Sequence, residues 1–281
     1  MNFIRIILSI FFILFSSGLS MAHEKGAPFS GAISEPIKVH HAHIENEQSI
    51  SFSFYDDFEK EEGDQKRSAM EASVEFGVAW NKAFNLGSEI SIPLSDLGTD
   101  DNRYGLGDIE LLPIKYAFLN QPETILTGAM SISLPTGDKT HGFGEEQTKL
   151  GALLFFDQAW RNWFFGANAE FESAVSGPTE TEVELAFAIS YSYIEETRQG
   201  IAPSKPRQSI VPVLTLELIS ENVLSGLEKE NDTLSILPSL QIWNPASGWQ
   251  AALGAELPLS TYRNNDFKIH FKLRNHFDWS H

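Results

Sequence analysis

From Ser49 onward, apolar and polar residues alternate with a period of two through stretch after stretch of this chain. The stretches cover 49–54, 68–80, 84–94, 108–119, 124–134, 149–156, 163–175, 182–194, 209–218, 233–243, 249–259 and 267–279. Many run to about ten residues or more, whereas strands of soluble domains average about five to six. A strand that crosses a bilayer at a tilt needs about 9–11. Side chains alternate across a strand, so each stretch has one apolar and one polar face. The expected fold is all-β: a transmembrane, antiparallel, up-and-down β-barrel of about 12 strands. A soluble exported β-sandwich also alternates, but it does not account for the length of these strands.

The links and the tryptophans point the same way. Short links at 81–83, 120–123, 157–162 and 244–248 mostly alternate with longer, charged ones at 55–67, 95–107, 135–148 and 219–232. Such barrels carry tight turns at one rim and loops at the other. The long 195–207 link and the short 176–181 link break that rhythm. Trp80, Trp160, Trp163, Trp243, Trp249 and Trp279 all fall at the short-turn rim. Trp prefers the headgroup layer, so these six are expected to form an aromatic girdle against outer-membrane lipid.

The opening 22 residues, "MNFIRIILSIFFILFSSGLSMA", have one basic residue, a short apolar run and a small-residue site. They read as a secretory signal peptide, cut after Ala22. Residues 23–48 form a polar, His-containing lead-in with no clear period, expected to be periplasmic. Residues 49–281 are then the barrel, expected in the cell outer membrane. A formal net charge of −18 argues against a nucleic-acid partner, because a phosphate backbone calls for clustered Lys and Arg. Cysteine is absent, which removes disulfides and thiolate metal ligands.

The last stretch, "FKIHFKLRNHFDW", assigns the faces. Phe267, Ile269, Phe271, Leu273, Phe277 and Trp279 share one face, broken by Asn275, and Lys268, His270, Lys272, Arg274 and His276 share the other. A charge on the lipid face costs roughly 2–4 kcal/mol near the midplane, so the charged row should line the lumen. The same reasoning turns Glu71, Glu75, Glu89, Glu170, Glu172, Glu182, Glu184, Glu217, Glu256 and Lys115 inward. The expected lumen is acidic, crossed by one basic stripe of Lys268, Lys272 and Arg274. An excess of Glu favours cations.

Enzyme signatures are absent: there is no Gly-x-Ser-x-Gly, His-Glu-x-x-His or P-loop, and a lone loop His141 makes no site. No catalytic residue and no cofactor is expected. "VHHAHIE" (39–45) is the sharper feature. His40, His41 and His43 could hold a divalent Zn²⁺, Ni²⁺ or Cu²⁺, since imidazoles two apart on an extended segment share a side. The residues therefore favour an outer-membrane channel or uptake protein for small molecules. A non-conducting barrel that binds a metal or partner through its N-segment stays open beside it.

"GLGDIELLPIKYAFL" (105–119) followed by "GAMSISLPTGD" (128–138) resembles the meta-pathway phenol-degradation transporter family of bacterial outer-membrane proteins. The matching residues are Gly105, Gly107, Asp108, Lys115, Tyr116, Phe118 and Leu134 to Asp138. The resemblance implies a β-barrel that passes small hydrophobic or aromatic compounds. By themselves these residues read as turn and strand-junction chemistry. Outer-membrane barrels usually end in Phe, which the barrel assembly machinery reads. Here the chain ends Phe277-Asp278-Trp279-Ser280-His281, with the aromatic signal displaced by two residues.

Overall fold

The computed structural model describes residues 35–58, 67–81, 83–96, 104–139, 143–176, 180–194, 209–226, 232–245, 247–260 and 267–276. The signal peptide, His141, Phe277 and Trp279 lie outside the described residues. The strands are β1 (Glu47–Phe58), β2 (Arg67–Ala79), β3 (Leu86–Asp96), β4 (Tyr104–Leu106), β5 (Ile109–Asn120), β6 (Thr124–Leu134) and β7 (Lys149–Trp160). They continue as β8 (Trp163–Ala174), β9 (Thr181–Ser192), β10 (Val211–Ser225), β11 (Thr233–Asn244), β12 (Trp249–Pro258) and β13 (Phe267–His276). Except for β4 and β5, neighbours in chain order pair antiparallel, and β1 pairs with β13, so the sheet closes. β4 and β5 both pair with β3 and form one wall strand interrupted at Gly107–Asp108, which leaves a barrel of twelve.

The two faces of the wall differ as the alternation requires. In β10, Val211, Val213, Thr215, Glu217 and Ile219 are buried, while Leu214, Leu216 and Leu218 between them are exposed. Ile114, Phe118, Met130, Leu154, Phe187, Leu240 and Leu253 extend this exposed apolar surface around the outside. A continuous apolar belt of this size is unfavourable against water and favourable against acyl chains. The polar side chains that share these strands point inward, where they meet one another across the lumen.

One wall strand departs from simple alternation. Glu110 and Lys115 are five positions apart and should face opposite ways, yet both face the lumen. The register of β5 slips against β3 between Gly87 and Glu89 and against β6 between Leu111 and Ile114. The slip contains Pro113, which has no N–H to give the ladder and so belongs at a bulge. The extra residue restores Lys115 to the inner face.

Candidate functional site: a segment held in the lumen

Residues 35–46 lie inside the barrel rather than beyond its rim. The segment runs from the short-turn rim to mid-barrel and back to Glu47, where β1 begins. Buried wall residues take up its backbone groups. The Glu217 carboxylate accepts the backbone N–H groups of Ile37, Lys38 and Val39 at 2.9, 2.8 and 2.8 Å. Asp157 accepts that of Ala42 at 2.7 Å, and the Thr127 hydroxyl donates to the Ala42 carbonyl. Asn46 accepts the N–H of Ala79 at 3.0 Å where the segment joins the wall. A buried carboxylate is costly unless hydrogen-bonded, and each bond to a charged group contributes about 1.5–3 kcal/mol. Glu217 therefore holds the bend at residues 37–39, where three successive N–H groups turn to one side.

The side chains of the segment alternate too. Ile37 and Val39 join Ala186, Ala188, Ile219, Leu237 and Ala252 in one inner apolar cluster. Ala42 and Ile44 join Leu112, Ala117, Ile125, Leu153 and Phe155 in another. Four wall glycines face these seats. A Cβ at Gly254 would lie 2.8 Å from Ile37, at Gly166 3.1 Å from Val39, at Gly87 2.5 Å from Ile44 and at Gly77 2.9 Å from Glu47. At Gly254, Gly87 and Gly77 a larger side chain would displace the segment or the wall beside it, and at Gly166 Val39 or Phe164 would have to give by a few tenths of an ångström. Lys38 and His40 turn the other way, toward open lumen.

At the turn-side end the segment brings together a buried charged cluster. Glu35, His41, His43, Glu45 and Glu47 meet Asp157 of β7 and Arg274 and His276 of β13. The Arg274 guanidinium contacts Glu35, and its Nε lies 3.6 Å from Glu47. His41 stacks on His43 with ring centroids 3.7 Å apart. Burial, with His41 beside it, pushes the His43 imidazole down to about 4, so it is neutral near pH 7. A floor of Ile194, Val211, Val213 and Trp243 packs at the same end.

Other wall charges on the inner face pair between adjacent strands or strands one apart. Lys115 contacts Glu89 and sits 5.1 Å over the Phe155 ring. Lys272 lies 3.1 Å from Glu75, and Lys268 lies 3.6 Å from Glu256. Glu71 accepts the Tyr55 hydroxyl. Toward the loop rim acids prevail: Glu170 stands directly opposite Glu184, Glu172 opposite Glu182, and Glu184 opposite Glu221. Lys149 reaches Glu182 at 3.4 Å and Glu172 at 3.9 Å. A chamber of about 520 Å³ opens on this side, lined by Lys38, Ser51, Ser53, Glu71, Ser73, Ser95, Asp108 and Glu145. A smaller cavity of about 120 Å³ lies between His40, His41, Glu75, Glu89, Glu110 and Glu170. The Gly105–Asp108 junction and the Pro135–Asp138 turn meet at the loop rim. There Asp108 accepts the N–H groups of Gly137 and Glu145, each at 2.8 Å.

Several sequence-derived residues land differently from the expectation. Trp80, Trp160, Trp163 and Trp249 lie on the outer face at the short-turn rim. Trp243 is a correction: it pairs with Val211, shares the inward parity of Gln241, and is 2% exposed inside the barrel. It closes the floor instead of joining a girdle. Of the three histidines expected to act together, His41 and His43 are buried in the cluster, whereas His40 faces the cavity with its ring against Phe155. Successive residues of an extended segment face opposite ways, so His40 could not join its neighbours. The sequence reading missed Glu35, Glu45, Glu47, Asp157 and His276 as members of this cluster. For His276 the signal was present, because it sits on the charged row of β13.

No family model and no curated protein matches the chain. Solved structures do match. The COG4313 outer membrane channel from Pseudomonas putida F1 aligns with a TM-score of 0.58 at 12% identity, over 87% of this chain and 100% of that one. The NanC porin aligns with a TM-score of 0.50 at 10% identity, over 83% of this chain and 99% of that one. At these identities the likeness establishes the fold: this is a barrel of the outer-membrane type.

Proposed function

We propose that this protein is an outer-membrane channel for small solutes, with a lumen narrowed by its own residues 35–46 and a preference for cations. One observation carries the reading. A wall with an apolar outer belt encloses a charged interior that is only partly filled, with a chamber of about 520 Å³ on the loop side of the segment. A filled, inert core would have no reason to face several carboxylates at one another across adjacent strands, because like charges directly opposite are destabilising. That acidic surface attracts cations entering from the loop rim. The chamber is rich in hydroxyl and carboxylate groups, which fits polar solutes better than the aromatic compounds implied by the family resemblance.

Export by the signal peptide and insertion through the barrel assembly machinery follow from this location. Purified protein reconstituted in a planar bilayer under a KCl gradient tests the proposal. The expected result is a small conductance with a cation-selective reversal potential. Absence of conductance, in the native chain and also in a variant with the segment released, would overturn it.

A further inference from the structure

The buried cluster at the turn-side end holds donors that converge on one point. His43 Nε2 and His276 Nε2 lie 3.1 and 2.9 Å from the same oxygen, Oε1 of Glu35. Glu47 Oε2 lies 3.6 Å from His276 Nε2. One ligand atom each from Glu35, His43 and His276 falls within 4.8 Å of the others, and so does one each from Glu35, His41 and Glu47. A tetrahedral ion bound at about 2.0–2.1 Å spaces its donors about 3.3 Å apart. The observed separations bracket that value.

Charge and orientation point the same way. Glu35, Glu45, Glu47 and Asp157 place four carboxylates in a nearly dry volume, and Arg274 is the one guanidinium among them. Buried charge of one sign needs a counter-charge. Both ring nitrogens of His41 lie 3.1 and 3.2 Å from carboxylate oxygens of Glu35 and Glu47, yet neither is directed as a hydrogen bond. The ring is 3% exposed and aimed into the cluster. Oε1 of Glu35 is the oxygen that the two imidazoles share.

We propose that Glu35, His43 and His276, completed by Glu47, form a buried site for one divalent transition-metal ion, zinc by its mixed imidazole and carboxylate donors. Two ligands come from the N-segment and two from the wall, so the ion fastens the segment inside the lumen. His41, 3.1 and 3.2 Å from Glu35 and Glu47, stands beside these four ligands. The site does not depend on the barrel conducting, and its test is read without a current.

Untagged full-length protein in detergent, stripped with a chelator, is titrated with ZnCl₂ by calorimetry and with Co²⁺ by visible absorption. The expected result is one ion per chain and the strong absorption of tetrahedral cobalt. His43→Gln and His276→Gln should each weaken binding by more than about 100-fold, since loss of an outer-shell partner alone costs about 10–100-fold. His40→Ala should bind as the native chain does. Heat-modifiable migration on a gel reports that each variant is folded. No binding by the native protein, or binding that survives both Gln variants, would overturn the site. Should both variants fail to fold, the native cobalt spectrum decides: a tetrahedral band supports the assignment, and a weak octahedral spectrum contradicts it.

Discussion

The two halves of the lumen are built on opposite rules. In the turn-side half, residues 35–46 fill the space, and wall glycines leave room for Ile37, Val39, Ile44 and Glu47. Charged groups there are buried and meet counter-charges or backbone N–H groups. In the loop-side half, the space is open and carboxylates face carboxylates across neighbouring strands. The turn-side half is organised as a packed interior. The loop-side half is organised as a wet surface, where solvent screens like charges that a dry site holds together only with counter-charges. The same antiparallel ladder supports both, so the difference lies in the side chains and in the segment that one half receives.

The largest effect expected on this contrast comes from Glu217. Glu217→Ala would leave three backbone N–H groups of the segment without their carboxylate, at about 1–3 kcal/mol each. The chain lacks cysteine, so a single Val39→Cys reports on docking through maleimide labelling. Undocking by at least about 3 kcal/mol corresponds to labelling faster by about 100-fold, at tenfold for each ~1.4 kcal/mol. Unchanged labelling would mean that the carboxylate does not hold the segment.

A smaller effect is expected where volume alone is changed. Gly87→Val forces a side chain into the seat of Ile44 and should destabilise docking by about 1–3 kcal/mol, read as a rise in the same labelling. Ser95→Val, which adds bulk to the loop-side chamber, should leave labelling where it was. Equal responses at the two positions would erase the distinction between a packed half and an open one.

How much of this could be read from the chain itself follows from how local each feature is. Alternation is a property of neighbouring residues, so the strands, their count and the inward facing of Lys268, Lys272 and Arg274 were legible. The slip at Pro113 was not, because the alternation on either side reads as continuous until Glu110 and Lys115 are seen on one face. Trp243 misled because its place at the rim was weighed and its parity was not: it alternates in step with Ser239 and Gln241, which turns it inward. The lumen segment has no period of its own. Its partners lie far along the chain: Glu217 is 180 positions from Ile37, and His276 is 241 from Glu35. Only the closed ring brings them together.

The smallest expected effect concerns the loop-side acids. Glu170→Gln with Glu184→Gln removes two directly opposed pairs, Glu170 with Glu184 and Glu184 with Glu221, each worth about 0.2–1 kcal/mol of relieved repulsion. The urea midpoint should rise slightly, and the reversal potential should shift toward lower cation preference. Lys268→Gln, which frees Glu256 from its cation, should shift the potential the other way. Arg274 is a poor choice for this purpose, because its contact with Glu35 ties it to the docked segment.

The central claim is that residues 35–46 narrow a lumen that is otherwise open. Single-channel conductance of the native chain, compared with a variant in which 35–46 is replaced by a Gly/Ser linker of the same length, tests it most directly. A linker of that composition behaves as a flexible coil and has neither the apolar anchors nor the cluster ligands. Conductance should be several-fold higher in the linker variant, with both proteins folded by their gel migration. Equal conductance in the two would contradict it.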